Sequence, residues 1–392
     1  MSSEADAEVL EPLPPTACTT LSRGEILDKL MGESDITLDR HVRNRILAAG
    51  KHVIRRARIY LDTNFWVWLR KASEGRGDPA SNKLLEALTS GADSGRLICP
   101  LSESAFMELF KQEDLVSRRA TAVLMARLSG SYALIDPRTR MANEVANFFH
   151  RKLGADVYGV DELAWGRVSY ALGIMHPYQD IQMPADLLLA LQKGVFDEIW
   201  NTDLVTMVDQ IGSSSPPPDD MATLADTLNR GNSEHAHELR SFPQTYRMEL
   251  RGVAEQFAPI VLEVAEEVER RTGKWPADER FTPSQSATNF AINALLFALE
   301  KDESRDSLRS LHIEAALHAS IRWDKKRKLV ANDLYDFKHA SAALGYCNMF
   351  FTERPLRALI EQKHLALDTR FSCAVCANPS EALALLAERG LA

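Results

Sequence analysis

Short apolar runs bounded by turn-forming residues alternate with segments of helical period at both ends of the chain, and a long helical stretch lies between them. Ile59-Tyr60-Leu61 runs straight into Asp62-Thr63-Asn64, and the apolar residues Phe65 to Leu69 follow. A run of this kind is how a strand covered on both faces reads. Arg96–Leu101 predicts a second strand, and Ser102 opens a helix through Gln112. A helix is expected over Ser81–Leu88 and another over Leu115–Leu128, with a third strand at Tyr132–Ile135. Strand signals then fade. Helical patterns cover Met141–Leu153, Asp161–Leu172, Pro184–Ile211, Met221–Arg230, Tyr246–Thr272, Ser284–Lys301 and Ser307–Asp324. Alternation returns after Ala331. A helix from Asn332 through Ala343 leads into a strand at Cys347–Thr352, a helix at Leu356–Lys363, a strand at Cys373–Cys376 and a closing helix from Pro379 to Arg389.

This order implies an α/β fold, with a parallel sheet flanked by helices and a large all-helical insertion. Residues 1–20 carry acids and prolines but no Lys or Arg and read as a disordered tail. Residues 21–57 form N-terminal helices, Ser22–Met31 stopping at Gly32 and Leu38–Arg56. The α/β domain occupies 58–137 and 331–392, and the insertion 138–330 is split by a Ser/Pro-rich linker at 212–220.

Composition adds little to the fold and something to the class. With 45% apolar and 26% charged residues, the 392-residue chain has an ordinary globular balance. No apolar run reaches membrane-spanning length, and the N-terminus lacks the basic and apolar regions of a signal peptide, so no membrane and a cytoplasmic location are expected. Five cysteines fit reduced thiols, and Cys373-x-x-Cys376 falls on a strand without a second pair, as buried core thiols would. The net charge of −9 argues against broad electrostatic coating of nucleic acid but admits a local basic groove. Arg40, Arg43, Arg45, Lys51, Arg55 and Arg56 read as a solvated helix face. Arg322, Trp323, Lys325, Lys326 and Arg327 lie in the most basic run. Phosphate contacts with stacking on Trp323, or a solvated helix end, both account for it.

The candidate chemistry lies in acids at strand ends and helix starts. Asp62 follows the first strand, where ligands of open parallel sheets sit. Taken alone it reads equally as an N-cap. Glu108 lies on the helix after the second strand, with Glu103 as a competitor. Asp336, with Asp333 one turn earlier, lies on the helix before the Cys347–Thr352 strand, and Glu353 ends that strand. If the strands are parallel neighbours, these carboxylates meet at one sheet edge, where like charges repel unless protons or cations neutralise them. With oxygen donors and no His or Cys among them, the expected cations are Mg²⁺ or Mn²⁺, which activate water and neutralise a phosphoryl centre. Asp62 is then expected to point into the cleft while Thr63 or Asn64 caps the helix. His339, on an alanine-rich helix, reads as structural.

Four stretches carry a family resemblance: Tyr60-Leu61-Asp62-Thr63-Asn64; Pro100 through Leu109; Asn332 through Ala340; and Tyr346 through Glu353. Together they resemble the PIN-domain family of metal-dependent nucleases over roughly Arg58–Asp136 and Ala331–Leu386. The resemblance implies Mg²⁺- or Mn²⁺-dependent hydrolysis of phosphodiesters, mostly in RNA. It also implies a toxin or defence role in bacterial members, with an inhibitory protein partner. It makes Asp62, Glu108 and Asp336 the principal metal ligands, with Asp333 a competing one. Glu353 stands where the family more often has Asp. Asn64 and Thr352 become supporting residues. A DNA substrate, a catalytically inactive scaffold and a homo-oligomer stay open on this reading.

Overall fold

The computed structural model describes residues 22–155, 157–173, 182–213, 220–235, 237, 240–271 and 284–392. The tail expected at 1–20 lies outside the described residues, as does most of the linker expected at 212–220. Among the described residues, no helix is long and apolar enough to cross a membrane.

Among the described residues six strands form: β1 (Ala57–Leu61), β2 (Leu97–Ile98), β3 (Tyr132–Leu134), β4 (Trp165–Arg167), β5 (Met349–Phe351) and β6 (Ala374–Cys376). Four of them make a parallel sheet in the order β2-β1-β5-β6. Strands that share no hairpin need long crossovers to run parallel, so β1 and β5 can be neighbours although most of the chain separates them. Tyr60 pairs in register with Phe350, and Phe350 with Val375.

Successive side chains of a strand point to opposite faces, and the burial follows that rule. Ile59, Leu61, Met349 and Phe351 enter one apolar core together with Phe65, Trp66 and Leu128. Tyr60, Phe350 and Val375 enter the other, with Val53, Trp165, Trp200 and Leu317. The sheet is therefore covered on both faces, which explains why its strands read as continuous apolar runs. Cys99, Cys347, Cys373 and Cys376 are buried free thiols, as expected for core positions.

The segment 138–330 has an apolar core of its own and also completes the two cores that cover the sheet. Its residues enter all three apolar cores. Phe196, Trp200, Ile313 and Leu317 cover the Tyr60 face of the sheet, while Leu204, Met207 and Val208 complete the opposite core. A third core is built by the helices Pro137–Lys152, Phe242–Arg271, Gln285–Glu300 and Arg309–Trp323. The helix expected over Asp161–Leu172 is broken into Val160–Leu163, β4 and Val168–Ala171. Strand β4 pairs antiparallel with β3. Leu101 bridges to Ala133, its N–H donating to Tyr132 O and its carbonyl accepting from Leu134, so this ribbon extends the sheet beyond β2. The helix expected over Pro184–Ile211 ends at Asn201, and a second begins at Leu204 with Asp203 as its N-cap.

The basic face expected on the helix Leu38–Ile54 is only partly solvated. Arg45 pairs with Asp197 at 2.7 Å, and Arg56, just beyond the helix, is buried.

Candidate active site

Strand β1 ends where Asp62 donates its N–H to the carbonyl of Phe351, the last rung between β1 and β5. Its carboxylate is buried and held at both oxygens. Oδ1 accepts from the Thr63 N–H at 2.6 Å, and Oδ2 accepts from the Thr352 hydroxyl at 2.7 Å. Asp62 is itself the N-cap of the helix Thr63–Ser73. The expectation that Thr63 or Asn64 would cap in its place is corrected. Both lie inside the first turn, where their side chains are released for other acids: the Thr63 hydroxyl donates to Glu108, and the Asn64 amide donates to Glu353.

Glu108 is delivered by the helix Glu103–Phe110, which Ser102 caps by accepting from the Ala105 N–H at 3.3 Å. The Glu108 Oε2 also lies 2.9 Å from His339 Nε2, and the imidazole is completely buried. The other ring nitrogen, Nδ1, lies 2.6 Å from the Tyr60 hydroxyl, which in turn lies 2.5 Å from Ser102 Oγ. Ser102, Tyr60, His339 and Glu108 thus form one hydrogen-bonded line crossing from β1 to two helices.

Asp62, Glu108 and His339 each offer one ligand atom, all within 4.8 Å of one another. Among the described residues this is the set of three with metal-binding spacing, and Asp333, Asp336 and Glu353 stand outside it. The expectation of an oxygen-only cluster with no histidine nearby is corrected, because the imidazole occupies the centre. Nothing in an alanine-rich helix marks which side chain faces a partner 231 positions away, so the local pattern around His339 does not show its place in the site.

The outlying acids still feel the cluster. Burial, together with Asp62, Glu353 and Asp333, pushes the Asp336 carboxyl up to about 7, against an opposing pull from His339. Asp336 accepts a hydrogen bond from Asn332 at 3.1 Å. Burial, Asp62 and Glu108 raise Glu353 as well. Burial alone would lower His339, but the carboxylates of Glu108, Asp62 and Asp336 outweigh it and hold the imidazole above its ordinary value. Uncompensated negative potential is what these directions share. Asp333 is used differently from a ligand: one oxygen accepts from Arg327 at 2.6 Å and the other from the Val330 N–H at 2.9 Å.

Of the basic run, Arg322 is drawn into an ion pair with Glu249 at 2.7 Å and Arg327 into the pair with Asp333. Lys325, Lys326 and Trp323 are exposed between the end of one helix at Trp323 and the start of the next at Ala331.

The buried hydroxyl of Tyr60 yields a direct prediction. Tyr60→Phe leaves His339 Nδ1 and Ser102 Oγ each short of a partner in a dry interior. The expected loss is about 1–3 kcal/mol of stability, read from urea unfolding. An unchanged midpoint would mean that the line carries no such energy.

Comparison with known proteins gives no match to any family model, any curated protein or any solved structure.

Proposed function

We propose that the chain is a metal-dependent phosphodiesterase acting on RNA, organised as in the PIN-domain nucleases that its motifs resemble. The observation that carries this reading is the convergence of Asp62 and Glu108, with a buried imidazole between elements, at the carboxyl ends of β1 and β2. The donor set fits a divalent cation. The carboxylates of buried Asp62 and half-buried Glu108 are closely placed and pre-oriented by Thr63 and Thr352, and Asp336 and Glu353, raised first by burial and then by neighbouring carboxylates, feel negative charge that a cation would offset. Asp62 and Glu108 would hold it, with Asp336 and Glu353 at the margin. When bound, Mg²⁺ or Mn²⁺ supplies a polarised phosphoryl oxygen and an activated water.

The chain's own groups then have assigned tasks. Thr352 and the Thr63 N–H fix the Asp62 carboxylate, and the Thr63 hydroxyl holds Glu108, so both acids are pre-oriented. Asn64 ties down Glu353, whose extra methylene would otherwise let it swing. Exposed Lys325 and Lys326, beside Trp323, offer phosphate contacts and a stacking surface for a single strand. No side chain is asked to act as a covalent nucleophile.

A second reading has its own observation. Asp62, Glu108 and Glu353 all find hydrogen-bond donors within the chain, as they would in a catalytically silent scaffold that binds a protein partner. The deciding experiment incubates the full chain with end-labelled single-stranded RNA, and in parallel with single-stranded DNA, in Mn²⁺ and in chelator. RNA cleavage that stops with chelator is the expected result. Faster DNA cleavage would move the substrate assignment. No cleavage of either, together with no saturable Mn²⁺ uptake by calorimetry, would establish the scaffold.

A further inference from the structure

We propose that His339 is itself a ligand of the cation through Nε2, making the centre a mixed nitrogen–oxygen site that selects Mn²⁺, Co²⁺ or Zn²⁺ over Mg²⁺. The inference rests on the metal-site reading above and names the class of cation that reading leaves open. It also assigns Tyr60 and Ser102 as positioning residues.

The geometry has three parts. First, His339 Nε2 lies inside the common donor set with Asp62 and Glu108, whereas Asp336 lies outside it. The third position of the triad is thus occupied by nitrogen. Second, the imidazole is completely buried on the helix Ala331–Tyr346, so its ring is fixed by packing. Third, the far nitrogen is anchored. Nδ1 meets the Tyr60 hydroxyl at 2.6 Å, and that hydroxyl meets Ser102 Oγ at 2.5 Å. Metal-ligating histidines characteristically have their second ring nitrogen held in this way, which fixes ring orientation and tautomer.

The hydroxyl line can serve either tautomer. With a neutral ring and no metal, the line is satisfied when Ser102 donates to Tyr60, Tyr60 donates to Nδ1, and Nε2–H donates to Glu108. With a cation at Nε2, the neutral ring keeps its single proton on Nδ1. Nδ1–H then donates to Tyr60, and Tyr60 donates to Ser102 Oγ, whose position is already set by its bond from the Ala105 N–H. From the neutral ring the change is one of tautomer alone, and from the imidazolium it also releases one proton to solvent. An imidazole donor favours first-row transition ions, whereas Mg²⁺ prefers oxygen and retains its water.

The test uses the full chain, stripped by chelator and titrated with Mn²⁺ alone. Pulsed electron paramagnetic resonance is expected to show ¹⁴N coupling from a directly bound imidazole nitrogen. The bound Mn²⁺ should survive an excess of Mg²⁺ of about 100-fold. His339→Gln should abolish the coupling and weaken Mn²⁺ binding at least about 10-fold. Tyr60→Phe should keep the coupling while weakening binding, which separates a positioning role from a ligand role. Saturable Mn²⁺ binding without nitrogen coupling in the parent protein overturns the His339 assignment and leaves the proposed function standing. No saturable binding at all overturns both. Should His339→Gln fail to fold, the parent spectrum decides alone, since His339 is the imidazole in the donor set.

Discussion

Asp62→Asn is expected to leave the fold standing and to lower Mn²⁺-dependent RNA cleavage by at least about 100-fold. The substitution keeps size and one oxygen acceptor, so the bond from the Thr63 N–H that caps Thr63–Ser73 can persist, while the new amide N–H donates to the Thr352 hydroxyl in place of accepting from it. What it removes is a charge that, after burial, contributes to raising both Asp336 and Glu353. A pH signature accompanies the loss. In the metal-free parent, folded Asp336 keeps its proton up to about 7, while the unfolded carboxyl releases it near 3.8. The stability this group contributes is therefore fully present below the unfolded value and is lost as pH rises through the folded one. Asp62→Asn should flatten that part of the stability profile between about pH 4 and pH 7. Thermal melting of the two proteins across this range, beside the cleavage assay, checks both halves. Cleavage at the parental rate would remove Asp62 from the mechanism.

The largest effect on stability is expected far from this cleft. Glu144 is completely buried on the helix Pro137–Lys152. It accepts from the N–H and the hydroxyl of Ser310, at 2.9 and 2.6 Å, and from the Tyr346 hydroxyl. The Tyr346 ring lies between the guanidinium groups of Arg140 and Arg309, 5.4 and 4.9 Å from its centre. Burial raises the Glu144 carboxyl, while its bonds to Ser310 and Tyr346 and the two arginines oppose that rise. One acid thus joins the third apolar core to the last turn of the helix that carries Asp336 and His339. Glu144→Ala removes the acceptor of three buried donors and the carboxylate near Arg140 and Arg309. The expected cost is about 3–5 kcal/mol. Glu144→Gln, which retains an acceptor, should lose less. Denaturant unfolding of both variants gives the comparison, and a cost under about 1 kcal/mol for the alanine variant would show that the surrounding groups re-pair.

Several features of the site were open to local reading. Asp62 and Glu353 follow strands whose apolar runs are unambiguous, and Ser102 stands where an N-cap should. Other features were hidden because they depend on partners remote in the chain. Strand β4 is three residues with a glycine at its centre, too short to show alternation, and it forms because β3 offers an edge to pair with. The basic run reads as phosphate contacts or a solvated helix end, yet Glu249 claims Arg322 and Asp333 claims Arg327. Asp333 and Asp336 share a helical face by spacing, but only Asp333 meets an arginine and a free N–H, and this separates them.

Sequence by itself determined the strands of the sheet, their helices, and the placing of Asp62 at a strand end and Glu108 on the helix after one, because burial on both sheet faces and helix capping are written in local periodicity. Tertiary structure decided which groups share the cleft. It brought His339 rather than Asp336 into the donor set with Asp62 and Glu108, and it used the residues between 138 and 330 to cover the sheet. The physical reason is common to both. A side chain's partner across the fold is set by how helices pack on the sheet, and that packing joins positions hundreds of residues apart whose local patterns carry no mark of each other.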